Sequence, residues 1–102
     1  MHNYIFAYYG GKKPESPEAG AREMKRWKAW LTGLGDAVID PGTPVGMSRT
    51  VSANGVTDGG GANPMIGFSI IKAEGMEAAL EMAQKCPFLE QGTIVVSQAM
   101  GR

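Results

Sequence analysis

The stretch from Asn63 to Ala73, NPMIGFSIIKA, decides the fold. Read with a period of two, Ile66, Phe68 and Ile70 point one way, and Met65, Gly67, Ser69 and Ile71 point the other. A strand covered on one face alternates apolar with charged residues, yet no charge appears here before Lys72. Both faces of this strand are therefore expected to be covered. One cover comes from the same chain, and something else must supply the other.

The segments around this strand build the rest of the pattern. After it, a helix is expected from about Gly75 to Lys85, with Met76, Ala79, Leu80 and Ala83 on its buried side. Cys86-Pro87 stops that helix, Phe88-Leu89 forms a small hydrophobic plug, and Gln91-Gly92 turns into a last strand, Thr93 to Met100. In that strand Ile94 and Val96 share a face. Before the deciding stretch, Asn54-Gly55 signals a tight hairpin turn between Ser48–Ser52 and Val56-Thr57-Asp58. Gly59, Gly60, Gly61, Ala62 and Asn63 follow as a loop of little bulk.

The first half opens with a strand, His2 to Tyr9, again apolar or aromatic on both faces. Lys12 to Ser16 is a polar connection. Ser16 is a good N-cap, Pro17 suits the first helical position, and Glu18 complements the positive helix end. Met24, Trp27, Leu31 and Leu34 fall on one stripe, with Trp30 beside it, and Gly33 and Gly35 mark the helix end. Ala37-Val38-Ile39 reads as a short buried strand broken by Pro41-Gly42-Thr43-Pro44.

The order is strand, helix, strand, hairpin, strand, helix, strand. That is the α+β, split βαβ or ferredoxin-like pattern with an extra hairpin, two helices lying on one face of an antiparallel sheet. Two helices cover only one face. The simplest second cover is another copy, packed sheet to sheet with two-fold symmetry, so a homodimer is expected.

Composition narrows the function. The chain has 102 residues, enough for one domain with a real core. Ten basic and ten acidic residues leave no net charge, which argues against nucleic acid as a partner. No polybasic patch, signal peptide or apolar run of bilayer length is seen, so no membrane association is expected. The single cysteine, Cys86, excludes an internal disulfide and fits a reducing, cytoplasmic setting. His2 is the only histidine, so neither zinc nor another metal site is expected, and no cofactor is implied.

Asp58 is the best candidate for chemistry: it closes a hairpin beside a glycine-rich loop and could serve as a general base at a cavity mouth. The alternative is that it fixes the turn or pairs with Arg49 across the hairpin. Gly59, Gly60 and Gly61 lack the phosphate-loop pattern and suit a flexible lid over a pocket, or a plain loop. Trp30 or Tyr8 could wall a pocket for a small apolar ligand, although aromatic area also serves cores and interfaces.

Val56-Thr57-Asp58-Gly59, Gly67 to Ala73, Ala78-Ala79-Leu80 and Cys86-Pro87-Phe88-Leu89 with Gly92 resemble the YCII-related domain family, in its DGPF-motif branch. Trp27, Trp30, Leu34 to Val38 and Pro41-Gly42 extend the likeness over nearly the whole chain, read as a single domain of residues 1–102. The resemblance implies a ferredoxin-like domain that pairs into a dimeric α/β barrel. For some members it implies an acid–base pair of histidine and aspartate in a cleft. Here the tetrad reads Asp58-Gly59-Gly60-Gly61, and the first helix has no histidine. Two functions follow: a binding or accessory module without chemistry, or a small enzyme that moves a proton with Asp58 as base.

Overall fold

Strands β1 (His2–Gly10) and β5 (Met65–Ala73) lie side by side at the centre of the fold, antiparallel and in continuous register from His2–Ala73 to Tyr8–Gly67. The structure is a computed structural model that describes residues 1–11, 15–61 and 63–100. β2 (Val38–Pro44) pairs with β5 and β6 (Gly92–Gln98) pairs with β1, giving the antiparallel order β2-β5-β1-β6. Helices α1 (Pro17–Leu34) and α2 (Met76–Gln84) separate the strands in sequence. The fold is α+β with the ferredoxin-like strand order. Residues 12–14 of the expected polar connection, and Ala62 of the glycine-rich loop, lie outside the described residues.

The period-two reading of β5 holds. Gly67, Ser69, Ile71 and Ala73 are buried on the helix side, opposite Tyr8, Phe6, Tyr4 and His2 of β1. Tyr4, Phe6 and Tyr8 are buried with them, and Ala79, Ala83 and Cys86 complete that core. The other face carries Ile5, Ala7, Phe68 and Ile70, paired across the same two strands. Ile5 remains 37% exposed and Val95 of β6 50% exposed, so this face is incompletely covered within one chain.

Local chemistry explains most element ends. The Ser16 hydroxyl accepts a hydrogen bond from the Ala19 amide at 3.1 Å, and Pro17 occupies the first turn. Trp30 ties the two helices together: its indole N–H donates to the Met82 carbonyl at 2.9 Å, and its ring stacks on Phe6 at 6.3 Å.

Four expectations need correction. Pro41 to Pro44 does not break β2. The strand runs on to Pro44 with two register shifts, which is tolerated because β2 is an edge strand and an edge proline costs fewer ladder bonds. Met76 and Leu80 are 39% and 42% exposed, because α2 presents its small residues, Ala79 and Ala83, to the sheet. No α1 residue is fully buried, and Met24 is 52% exposed. The hairpin turn is Ala53-Asn54 and not Asn54-Gly55. Both turn residues keep negative φ, and Gly55 at φ +128° opens the return strand.

The hairpin itself, β3 (Arg49–Ser52) with β4 (Gly55–Asp58), forms a separate two-stranded sheet, exposed at every residue. Phe6 is the largest test of the central core, being fully buried. Phe6→Ala is expected to cost about 3–5 kcal/mol, much of the total stability of roughly 5–15 kcal/mol for such a domain. Urea denaturation of the variant beside the parent checks this.

Candidate functional site

A cleft of about 490 Å³ opens between α1 and the sheet. Met24 and Trp27 form its helical wall, Tyr8 and Gly67 its floor, Thr43 one side and Phe88 the other. The Tyr8 and Phe88 rings meet edge to face at 5.3 Å. A Cβ on Gly42 would fall 2.7 Å from the Trp27 ring, and Gly42 sits at φ +133°. The bare glycine thus lets the indole approach β2 closely.

The floor holds one ordered polar chain. The Ser69 hydroxyl donates to the Pro41 carbonyl at 3.1 Å. With that hydrogen committed, the 2.8 Å contact between Tyr8 Oη and Ser69 Oγ must be donated by the phenol. Three strands, β1, β5 and β2, are joined by these two bonds. Burial pushes the Tyr8 phenol up to about 12, outweighing its hydrogen bond with Ser69, so it stays neutral at any physiological pH. Burial likewise pushes the Cys86 thiol up to about 11, against the Phe88 backbone hydrogen bond. That thiol is a buried hydrophobe and a poor nucleophile.

At the rim, the Arg26 guanidinium makes a two-pronged ion pair with the Glu90 carboxylate, linking α1 to the 3-10 turn Pro87–Glu90 that carries Phe88. The hydrogen bond and charge of Arg26 hold the Glu90 carboxyl below its usual range. Arg26 is thus paired at the rim, with both side chains solvent-exposed. Among the described residues no group of three His, Cys, Asp or Glu side chains is placed to hold a metal ion.

Of the residues singled out in the sequence, the structure brings Tyr8 to this cleft. Trp30 faces Phe6 and Met82 instead, and its neighbour Trp27 forms the wall. Asp58 ends the projecting hairpin with its side chain 97% exposed, 3.7 Å from Arg49, and does not line the cleft. The alternative of a cross-strand pair is the arrangement seen. Gly59 donates its amide to Ser48 and accepts from the Thr50 hydroxyl at 2.8 Å, and Gly60 packs by Pro64 and Ser48. Neither glycine lines the cleft. Ser69 and Trp27 line or support the cleft without standing out as site residues in the sequence. A lone polar residue on the buried face of β5 was the available signal for Ser69.

No family model matches the chain, and no curated protein matches it in sequence. Among solved structures, it is similar to the 5-chloro-2-hydroxyhydroquinone dehydrochlorinase of Burkholderia phenoliruptrix, in complex with 2,5-dihydroxybenzoquinone. The TM-score is 0.57 at 18% identity, covering 96% of this chain and 95% of that one. This likeness shows a shared fold. Among the described residues no helix is long and apolar enough to cross a membrane.

Two outcomes test the floor. Ser69→Ala strands both the buried phenol and the Pro41 carbonyl, and is expected to cost about 1–3 kcal/mol. Tyr8→Phe leaves the Ser69–Pro41 bond in place and is expected to cost less, about 1 kcal/mol. Denaturant midpoints give the order directly. The pH dependence follows from the raised Tyr8 and Cys86 values. Each group becomes charged on losing its proton, and the folded state holds that proton longer than the unfolded chain does. Their stabilising contribution is complete below the ordinary values of 9.0 for Cys86 and 10.0 for Tyr8. It is lost as pH rises through about 11 and about 12 respectively. Cys86→Ala is expected to flatten the lower part of that alkaline loss, read from denaturation curves at stepped pH.

Proposed function

We propose that the chain is a single YCII-related domain, residues 1–102, that binds a small, largely apolar, uncharged organic molecule in the cleft under α1. The carrying observation is an apolar cleft of about 490 Å³ with one neutral polar handle, the Tyr8–Ser69 pair, on its floor. Small-molecule sites are of this size and character, roughly 300–1,000 Å³ and mostly apolar with few polar groups. Arg26 is engaged by Glu90, and the other ionic lining group, the Glu23 carboxylate, disfavours an anionic ligand. A planar ring suits the aromatic wall of Trp27 and Phe88. On this reading the protein is a binding or accessory module. It works as a homodimer whose sheets face each other as an α/β barrel, in a cytoplasmic setting that keeps Cys86 reduced. The half-covered second sheet face supports that pairing.

A second reading is a small enzyme that moves a proton on such a molecule with Asp58 as base. The structural neighbour, an enzyme bound to a dihydroxybenzoquinone, favours it at the level of the fold alone. Asp58 would then act on a cleft belonging to a partner copy, since it does not line its own.

Titration with 2-naphthol, followed by amide chemical shifts, tests the binding reading. Shifts are expected at Tyr8, Trp27, Gly67 and Phe88. Met24→Trp fills the cleft from a half-exposed helix position and should weaken binding at least ten-fold without loss of fold. Shifts confined to other surfaces would remove the proposal. Asp58→Asn should leave binding unchanged, and turnover of a hydroxylated quinol that vanishes in this variant would favour the enzyme.

A further inference from the structure

We propose that the cleft selects ligands that donate a hydrogen bond to its floor, with Tyr8 Oη as the acceptor: aromatic compounds bearing an N–H or O–H, and not ethers, ketones or other rings that can only accept. The inference rests on the binding reading above and adds the hydrogen-bonding sense of the ligand to it.

The floor is a chain of hydrogen bonds with one direction. A backbone carbonyl only accepts, so the Ser69 hydroxyl gives its single hydrogen to Pro41 at 3.1 Å. Ser69 Oγ then accepts from the Tyr8 phenol at 2.8 Å. The phenol has no second hydrogen. What it keeps is lone-pair density on Oη, so a polar group that reaches it from the cleft must bring the hydrogen. Burial pushes the phenol up to about 12, so that hydrogen stays committed to Ser69 across the neutral range. The Trp27 indole N–H pulls weakly on the same oxygen, the smallest of the effects on the phenol. Trp27 is the helical wall, and its pull sets the accepting side of Oη beside the cleft.

The rim has the same sense. The Glu23 carboxylate, a lining group, only accepts. Arg26 only donates, and it directs both terminal nitrogens to the two oxygens of Glu90. Thr43 and Gln91 are the remaining polar side chains of the lining, and each can give or take. The lining groups of fixed sense that stay unpaired are therefore acceptors. A ring that brings its own lone pair to the floor sets two acceptors against each other, and a bare ring leaves Oη facing apolar atoms. A site with a polar group to satisfy discriminates against analogues that lack the matching hydrogen.

Indole and benzofuran test this, because they share a planar two-ring frame and differ in a ring N–H against a ring oxygen. Each is titrated into nitrogen-15 parent, Tyr8→Phe and Ser69→Ala protein and followed by amide shifts, with 2-naphthol as a third ring. The ratio of indole to benzofuran affinity in the parent is expected to exceed that in Tyr8→Phe by about three- to ten-fold, the worth of one net hydrogen bond. Taking the ratio in both proteins cancels the different cost of drying the two rings. Ser69→Ala releases the phenol hydrogen to turn toward the ligand, so its ratio should fall below that of the parent. Equal ratios in parent and Tyr8→Phe, with Trp27 and Gly67 shifted by both rings, would overturn the inference and leave the binding reading standing. No shift at the cleft residues with any of the three rings would overturn both.

Discussion

The structure depends on the pairing of β1 with β5. These two strands run the length of the sheet in register, and their helix-side residues supply Tyr4, Phe6, Ser69 and Ile71, the most completely buried large side chains of the chain. β2 and β6 add to their outer edges, and both helices find their footing on the surface they share. Burial of apolar area drives this arrangement, at roughly 25 cal/mol per Å², and the ladder hydrogen bonds keep the backbone satisfied while it happens.

The cleft is a consequence of how α1 meets that surface. Trp30 is pinned by Phe6 and the Met82 carbonyl, which seats the second half of the helix. One turn earlier Trp27 lies close against Gly42 of β2, and with the half-exposed Met24 it walls the cleft over Tyr8. Where the sheet would otherwise present a bare polar group to this space, Tyr8, Ser69 and the Pro41 carbonyl satisfy one another in sequence. A neutral, ordered floor below an aromatic wall recognises shape and apolar area first and hydrogen-bonding pattern second.

Charge plays its part at the edges. The Arg26–Glu90 pair is solvent-facing and fixes the turn that carries Phe88 without charging the cleft. The Arg49–Asp58 pair does the same across the hairpin at 3.7 Å, where a like-charged pair would have splayed it. Neither pair is desolvated, so neither dominates stability. What they set is which groups remain free to meet a ligand or a partner.

Much of the fold was legible in the chain because it follows from local rules. Period-two burial in Gly67 to Ala73, the Ser16-Pro17 helix start, the alternation of Ile94 and Val96, and the order of elements are all written in neighbouring residues. The unbroken apolar character of β1 and β5 also marked a second face in need of cover. The site was less legible. Trp27 and Trp30 are three residues apart on one helix and look alike in sequence, yet one walls the cleft and the other binds α2. Ser69 became part of the floor only when β2 brought the Pro41 carbonyl to it from 28 residues away. Asp58 left the candidate site because the hairpin projects, a matter of how two turns direct the chain and not of which residues form it. Hydrophobic period and capping act over a few residues and can be read from the sequence. Which side chains converge depends on packing between segments far apart in the chain, and that the tertiary structure alone decided.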